Sequence, residues 1–197
     1  MTEILQPSFR LFAGRRSFLT RSGAAVLSAA AIALLAGSEG LAAGQKKKGG
    51  FATSDASILN TALGAEFEAV AAYQVGAESG LLQKPVLDLA VQFQRQHKAH
   101  ADLLAKTVKT LGGRPAEPRK TADYKVPVEQ LKTQVDVLRF AAGLQQGAVS
   151  AYLGAVPLFG NRDLAKAAAS ILGDEAMHWA ILRQVLGDNP VPEAFVA

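Results

Sequence analysis

The chain has 197 residues, no cysteine and a formal net charge of +4. The lack of cysteine excludes disulfide bonds and thiolate chemistry, so packing, together with any bound metal, must hold the fold. Four arginines and two glutamates of the first 44 residues account for part of the charge, and residues 45–197 keep a net charge of only +2. This small charge gives no reason to expect a nucleic acid as a partner.

The first 44 residues resemble a twin-arginine export signal. Arg15 and Arg16 open the run Arg-Arg-Ser-Phe-Leu-Thr, and a weakly apolar stretch at residues 23–36 and a small-residue region at residues 40–44 follow. The apolar stretch is shorter than the roughly 20 residues that a membrane span needs. We therefore expect the twin-arginine export machinery as a partner, cleavage near residues 42–45, and a periplasmic or secreted protein without membrane attachment after cleavage.

Residues 45–53 follow the signal and contain three consecutive lysines and two glycines at positions 46–50. This composition predicts a flexible, solvated leader. Residues 54–197 are then long enough for one domain with one core.

Four helices are predicted in that domain. The first begins after Ser54 or Asp55, either of which can cap free N–H groups, and ends near Gly80. The second has Pro85 in its first turn and ends at Gly112. No stretch of the domain sequence alternates with a period of two, so the predicted fold class is all-α.

A long crossover loop is predicted between the second and third helices because residues 114–126 contain two prolines and a third follows at once. The third helix runs from about residue 127 to 156, and the fourth from about residue 163 to 187. In the tail beyond them, Phe195 is placed to lie back on the bundle. These elements predict an antiparallel four-helix bundle made of two helical hairpins.

Apolar residues recur at three- and four-residue steps in each predicted helix, as they do on the buried face of a bundle helix. Polar residues interrupt each stripe near its middle, so their side chains should point inward at a similar height. The four stripes, interruptions included, are Leu59, Leu63, Glu66, Val70 and Tyr73; Val86, Leu89, Phe93, His97, His100, Leu104, Val108 and Leu111; Leu131, Val135, Leu138, Ala142, Gln145, Val149, Tyr152 and Val156; and Leu164, Ala168, Ile171, Glu175, His178, Leu182 and Val185. Six inward polar residues indicate a metal site inside the bundle: Glu66, His97, His100, Gln145, Glu175 and His178.

An internal repeat supports the two hairpins. Residues 63–73 align with residues 142–152 at an offset of 79, and the two segments share Gly, Ala, Val, Ala and Tyr. Glu66 then matches Gln145, while His100 matches His178 at an offset of 78. Each hairpin is thus predicted to contribute half of a central site.

An inward carboxylate on one helix and a Glu-x-x-His on the next resembles the ferritin-like superfamily, and in particular the exported ferritin-like domain proteins of bacteria. The most specific pieces are the run Asp-Glu-Ala-Met-His at residues 174–178 and the Leu-x-x-Glu-x-x-x-x-x-x-Tyr pattern ending at Tyr73. The resemblance implies a di-iron or di-manganese centre between the helices.

The resemblance also implies a role for each site residue. Glu66 would be a terminal ligand, Glu175 a bridging carboxylate, and His100 and His178 the imidazole ligands. Two positions depart from the family pattern. These are His97, where the second helix should supply the other bridging Glu, and Gln145, where the third should supply a terminal Glu.

The departures favour one tightly bound metal ion instead of two. Two divalent ions beside only Glu66 and Glu175 would keep a net charge near +2 in the core, where unpaired charge costs several kcal/mol. One ion held by these two carboxylates and His100, with His97 as an optional fourth ligand, would be neutralised. Iron is the first candidate, with zinc or manganese as alternatives, and Cu²⁺ would compete on affinity alone.

The two remaining polar residues, Gln145 and His178, have two interpretations: a weaker second metal position, or hydrogen bonds to the first ligands. Three functions stay open. The first is an exported metal-binding protein in metal handling or stress response. The second is an iron or manganese oxidase or peroxidase, and the third is a metal-free structural bundle with a decayed site. The sequence leaves open whether the protein is an enzyme and whether it forms a homo-oligomer.

Overall fold

The computed structural model describes residues 50–196, with side chains from residue 54 onward. The predicted export signal lies outside the described residues, as does the leader up to residue 49. The described part contains four α-helices, named α1 (Gly50–Glu78), α2 (Lys84–Thr110), α3 (Gln134–Ala155) and α4 (Arg162–Val185). It also contains three short 3-10 turns: Thr121–Asp123, Val128–Gln130 and Val156–Leu158. Residues 50–196 include no strand, and the predicted all-α fold is confirmed.

The helices pair as two hairpins, α1 with α2 and α3 with α4. Pro85 lies in the first turn of α2, and Gly112 beyond its end has a positive φ of 78°, which glycine adopts without strain. The connection between α2 and α3 begins at one end of the bundle and reaches the other, which explains its length. None of the described helices is long and apolar enough to cross a membrane.

The start of α3 is set by a capping box and not by the apolar stripe. The hydroxyl of Thr133 accepts a hydrogen bond from the backbone N–H of Asp136, whose carboxylate accepts one from the backbone N–H of Thr133. These bonds satisfy free N–H groups at that point of the chain. The predicted start near residue 127 was therefore wrong, and residues 128–130 form a separate 3-10 turn.

The start of α1 was also wrong, because the helix begins at Gly50 and includes the last four residues of the predicted leader. Asp55 does not cap this helix. It is buried, and its carboxylate accepts hydrogen bonds from the backbone N–H groups of Gly160 (2.8 Å) and Asn161 (3.0 Å). A residue interpreted as a helix cap thus ties α1 to the turn between α3 and α4.

Three predicted core positions are exposed. Val135 was assigned to the stripe by counting helical steps from Leu131, which lies outside α3, so the count does not hold. Val185 is the last residue of α4, and its neighbour Leu186 packs on the core instead. Phe195 is 88% exposed and does not lie on the bundle.

Two apolar clusters fill the core, one towards each end of the bundle. The upper cluster consists of Leu59, Leu63, Ala101, Leu104, Val108, Tyr152, Ala168 and Ile171. The lower cluster consists of Tyr73, Phe93, Leu138, Ala141, Ala142 and Leu182. Along every helix the predicted polar residues lie between the two clusters, so the site is enclosed by apolar layers.

Candidate metal centre

All six predicted site residues lie at one level of the bundle, and each helix contributes at least one. Five of them are buried with at most 3% of their surface exposed: Glu66, His97, Gln145, Glu175 and His178. The side chain of His100 is 14% exposed. The inward orientation that the apolar periodicity predicted is what the structure shows.

Four of the six converge on one point. Glu66, His97, His100 and Glu175 each offer a ligand atom, and these atoms lie within 4.8 Å of one another. His97 Nδ1 is 2.7 Å from Glu66 Oε2 and 3.5 Å from Glu175 Oε1. His100 Nδ1 is 3.6 Å from Glu66 Oε2 and 3.2 Å from Glu175 Oε1. The four distances join the same four atoms into a closed ring.

The size of this ring suits a single transition-metal ion. Metal–ligand distances of about 2.1 Å to imidazole nitrogen and carboxylate oxygen give an edge of about 3.4 Å between neighbouring ligands of a tetrahedral site. The four observed distances scatter around that edge, from 2.7 to 3.6 Å. Two carboxylates and two neutral imidazoles would also neutralise a divalent ion.

Two of these four atoms, His100 Nδ1 and Glu175 Oε1, are buried and have no hydrogen-bond partner within the part of the chain that the structure describes. The other carboxylate oxygen of Glu175 is also buried without a partner there. His100 Nδ1 and Glu175 Oε1 are close, but they do not point at each other as a donor and an acceptor would. Buried polar atoms without partners are costly. Because the ligand atoms of the group lie within 4.8 Å of one another, these unpartnered atoms fit a bound ion better than a hydrogen-bonded network that serves packing alone.

The other two predicted residues lie beside this group and not in it. Gln145 Nε2 is 2.8 Å from His97 Nε2 and donates a hydrogen bond to the hydroxyl of Tyr73 (3.0 Å). His178 Nε2 is 2.9 Å from Gln96 Oε1, and its ring stacks on Phe93 at 4.0 Å. The sequence left two interpretations open for Gln145 and His178: a weaker second metal position, or hydrogen bonds to the first ligands. For Gln145, the structure shows a contact with the candidate ligand His97.

Three more residues contact the six predicted site residues: sequence reasoning did not single out Asp174 or Gln96, and it predicted Tyr152 only as a core residue. Asp174 Oδ2 lies 3.3 Å from His100 Nε2 and 3.4 Å from His178 Nε2. Tyr152 donates a hydrogen bond of 2.6 Å to Glu66 Oε1. The third is Gln96, described above. The internal repeat pairs Gln96 with Asp174 at its offset of 78, and Tyr73 with Tyr152 at its offset of 79.

The repeat gives the site two related halves. We name the acidic half by Glu66, His100 and Asp174, and the amide half by their counterparts Gln145, His178 and Gln96. The contacts repeat as well. Tyr152 bonds Glu66 as Tyr73 contacts Gln145, and Asp174 approaches His100 as Gln96 approaches His178. Each carboxylate of the acidic half is thus an amide in the other half, while His97 and Glu175 lie between the two.

Contacts between carboxylates and imidazoles keep both kinds of side chain charged in this group. Burial by itself lowers the pKa of His100, but the carboxylates of Glu175 and Glu66 outweigh burial and raise it to about 10. Burial raises the pKa of Glu175, but the imidazoles of His100 and His178 outweigh burial and lower it to about 2. In the metal-free state the carboxylates are therefore ionised opposite protonated imidazole. A metal ion must displace these protons on binding.

The comparisons with known proteins agree with this architecture. A family model described as a ferritin-like domain matches residues 54–188. Among solved structures, the chain is similar to the conserved hypothetical protein rv2844 from Mycobacterium tuberculosis, with a TM-score of 0.62 and 23% sequence identity. That match covers 73% of this chain and 97% of the other, and at this identity it shows the fold alone. No curated protein matches the chain.

Proposed function

The chain belongs to the ferritin-like domain family, and on this premise we propose that it is an exported metal-handling protein that binds one divalent transition-metal ion. The ion would be held by Glu66 and His100 of the acidic half, together with His97 and Glu175, which lie between the two halves. Iron is the first candidate metal, with zinc or manganese as alternatives. The role would be in metal handling or in the response to stress.

The closed ring of four ligand atoms is the observation that carries this proposal. Its edges match the spacing of ligands around one ion, and its two carboxylates balance one divalent charge. The amide half has no carboxylate among its own three residues, and it shares Glu175 and Asp174 with its neighbour. A second ion there would remain largely unneutralised, so tight binding should stop at one ion per chain.

The chain's own residues prepare the site for the ion. Asp174 approaches Nε2 of His100, which favours a proton on that nitrogen and leaves Nδ1 bare for a metal. Tyr152 holds one oxygen of Glu66, so the other oxygen faces the centre. When bound, the ion would supply Lewis acidity and, if it is iron or manganese, one-electron redox chemistry.

Elemental analysis of the exported protein tests this proposal. We expect about one iron, zinc or manganese per chain. The variant Glu66→Gln should lose most of it, because the substitution removes a carboxylate while preserving shape. Glu78→Gln is the matched control, since Glu78 is an exposed carboxylate on the same helix. A folded wild-type protein that binds none of these metals would instead be the metal-free structural bundle.

Export is part of the proposal and is supported by Arg15 and Arg16. The twin-arginine route, as generally understood, moves folded proteins, so the metal could enter in the cytoplasm before Cu²⁺ and Zn²⁺ compete for the site. The test replaces the signal with one for the unfolded-chain route. We expect a different metal in the product. Identical metal content in both products would contradict this role for the signal.

A second candidate function is an iron or manganese oxidase or peroxidase. One observation favours it: the phenol of Tyr152 bonds directly to the candidate ligand Glu66, within reach of a redox-active ion. Oxygen uptake on addition of Fe²⁺ separates the two functions. Repeated turnover would favour the oxidase, while uptake limited to one event per chain would favour metal handling.

A further inference from the structure

The two hairpins meet along two seams that differ in width and in chemistry: α1 lies beside α3 in one seam, and α2 lies beside α4 in the other. The backbones of α1 and α3 approach each other more closely than those of α2 and α4. Alanines line the α1–α3 seam, and small side chains let helices pack close together. Larger polar side chains, among them Gln96, His100 and Asp174, meet across the α2–α4 seam. The α2–α4 seam is therefore the wider and the more polar.

The candidate metal group comes nearest to solvent at the α2–α4 seam. Of its four residues, Glu66, His97 and Glu175 are at most 3% exposed, whereas the side chain of His100 is 14% exposed. Asp174, across the seam from His100, is 21% exposed. His100 Nε2 lies 3.3 Å from this carboxylate, and Nδ1 of the same ring lies 3.2 Å from Glu175 Oε1. The imidazole of His100 thus connects a partly exposed carboxylate to the buried centre.

An ion that enters a protein interior needs polar partners along its path, because a charge taken from water without a partner costs much free energy. The α2–α4 seam offers such partners in steps shorter than 4 Å: Asp174 at the surface, then His100, then Glu175. In the α1–α3 seam, an ion would pass along alanines before it reached Glu66 and His97. The chemistry of the two seams favours entry between α2 and α4.

We propose that the metal ion enters and leaves the site between α2 and α4, and that Asp174 is the residue that captures it first. The ion then moves from Asp174 to His100 and Glu175. The contact between Asp174 and His100 must open for the ion to pass, so these two side chains form a gate. This route rests on the proposed metal-binding function, but it gives Asp174 a role in the rate of binding that contact with a ligand does not require.

A removable label that blocks the α2–α4 seam tests the route. The chain has no cysteine, so one introduced cysteine can be labelled selectively. Met177 is 57% exposed and lies three residues from Asp174, hence beside it on the surface of α4. Benzyl methanethiosulfonate on Met177→Cys should slow both uptake and release of Zn²⁺ by the exported protein roughly fivefold or more. The affinity should stay the same, because a blocked path slows both directions equally. Removal of the label with a phosphine reductant should restore both rates.

The same label in the α1–α3 seam is the matched control. Ala151 lines that seam, and we expect labelled Ala151→Cys to take up and release Zn²⁺ at the unlabelled rates. Slower exchange in labelled Ala151→Cys, together with unchanged exchange in labelled Met177→Cys, would place the route in the wrong seam and overturn the proposal. Normal affinity with rates indifferent to the label at Met177→Cys would overturn the route alone. A folded protein that takes up no Zn²⁺ would overturn the metal function and the route together.

The capture role of Asp174 has its own test, since capture acts on association, whereas a weaker imidazole ligand acts mainly on dissociation. At low ionic strength, Asp174→Asn should slow Zn²⁺ association by roughly threefold to tenfold, because a carboxylate at the entrance attracts the ion. Asp102→Asn, which changes an exposed carboxylate elsewhere on α2, is the control and should leave the association rate unchanged. A loss of affinity in Asp174→Asn that lies wholly in dissociation would overturn its capture role.

Discussion

The acidic and amide halves of the site occupy equivalent places on two related hairpins, yet they differ in charge at both peripheral positions. Glu66 and Asp174 in one half correspond to Gln145 and Gln96 in the other. The partners are equivalent because an amide has nearly the shape of a carboxylate, but the hydrogen bonds run in opposite directions: Tyr152 donates to Glu66, whereas Gln145 donates to Tyr73. The comparison teaches that one scaffold can keep its packing while the charge available to a metal is concentrated on one side.

The largest effect should come from Glu175, which both halves share. Glu175→Ala should reduce metal affinity by roughly 100-fold or more, since losing one partner of a buried charge pair costs about 3–5 kcal/mol. Gln145→Ala, in the amide half, should reduce it only a few-fold. Competition with a chelator of known affinity measures both, and Glu129→Ala on an exposed carboxylate is the control. Equal effects of the first two substitutions would show that the halves do not differ in metal binding.

Glutamates at the two positions that depart from the family pattern should remove the difference in metal binding between the two halves. The double variant His97→Glu with Gln145→Glu adds two carboxylates, so the site can neutralise a second divalent ion. We expect two metal ions per chain and faster Fe²⁺ oxidation than in the parent, measured by elemental analysis and stopped-flow absorbance. A stoichiometry still at one would mean that the amide half lacks the geometry for a metal and not merely the charge.

Asp174 and Gln96 contact the imidazoles of His100 and His178, and substitution of Asp174 should lower metal affinity more than substitution of Gln96. Asp174→Asn should lower metal affinity by about 10- to 100-fold, because a carboxylate behind a ligating histidine raises its basicity and fixes its tautomer. Gln96→Ala, the equivalent change beside His178, should have an effect below about threefold if no metal is bound there. Calorimetric titration with Zn²⁺ measures both. A larger loss from Gln96→Ala would place the metal in the amide half.

The last prediction concerns the pH dependence of stability in the metal-free protein. The pKa of His100 is raised to about 10 from 6.5, so its contribution to stability is complete below pH 6.5 and is lost as the pH rises towards 10. The pKa of Glu175 is lowered to about 2 from 4.5, so its contribution is lost as the pH falls from 4.5 towards 2. Urea unfolding across this range should show greatest stability between pH 4.5 and 6.5.

His100→Gln sharpens that measurement because it removes one titrating group. We expect the variant to lose stability less steeply above pH 6.5 than the parent does, and His178→Gln serves as the matched change in the amide half. Metal affinity of the parent should rise with pH over the same interval, since the ion competes with protons. If the parent and the His100→Gln variant lost stability equally steeply above pH 6.5, the loss could not be assigned to His100.

Much of the fold and of the site was predicted from periodicity. The step of three and four residues placed Glu66, His97 and Glu175 inside the bundle, since one face of a helix must be buried and these residues lie on it. Where the step was counted through a segment that is not helical, as for Val135, the prediction failed. Asp55 failed for another reason: its partners lie more than a hundred residues away, at Gly160 and Asn161.

The sequence by itself determined the helical class, the two hairpins and the level at which polar residues interrupt the core. These follow from local spacing, capping residues and an internal repeat, all of which can be counted along the chain. Only the tertiary structure decided which polar residues meet. His97 faces Glu66 across one hairpin, and Asp174 reaches His100 from the other hairpin. Such contacts depend on the rotation and spacing of packed helices, which set distances to within an ångström and which periodicity along a single helix does not contain.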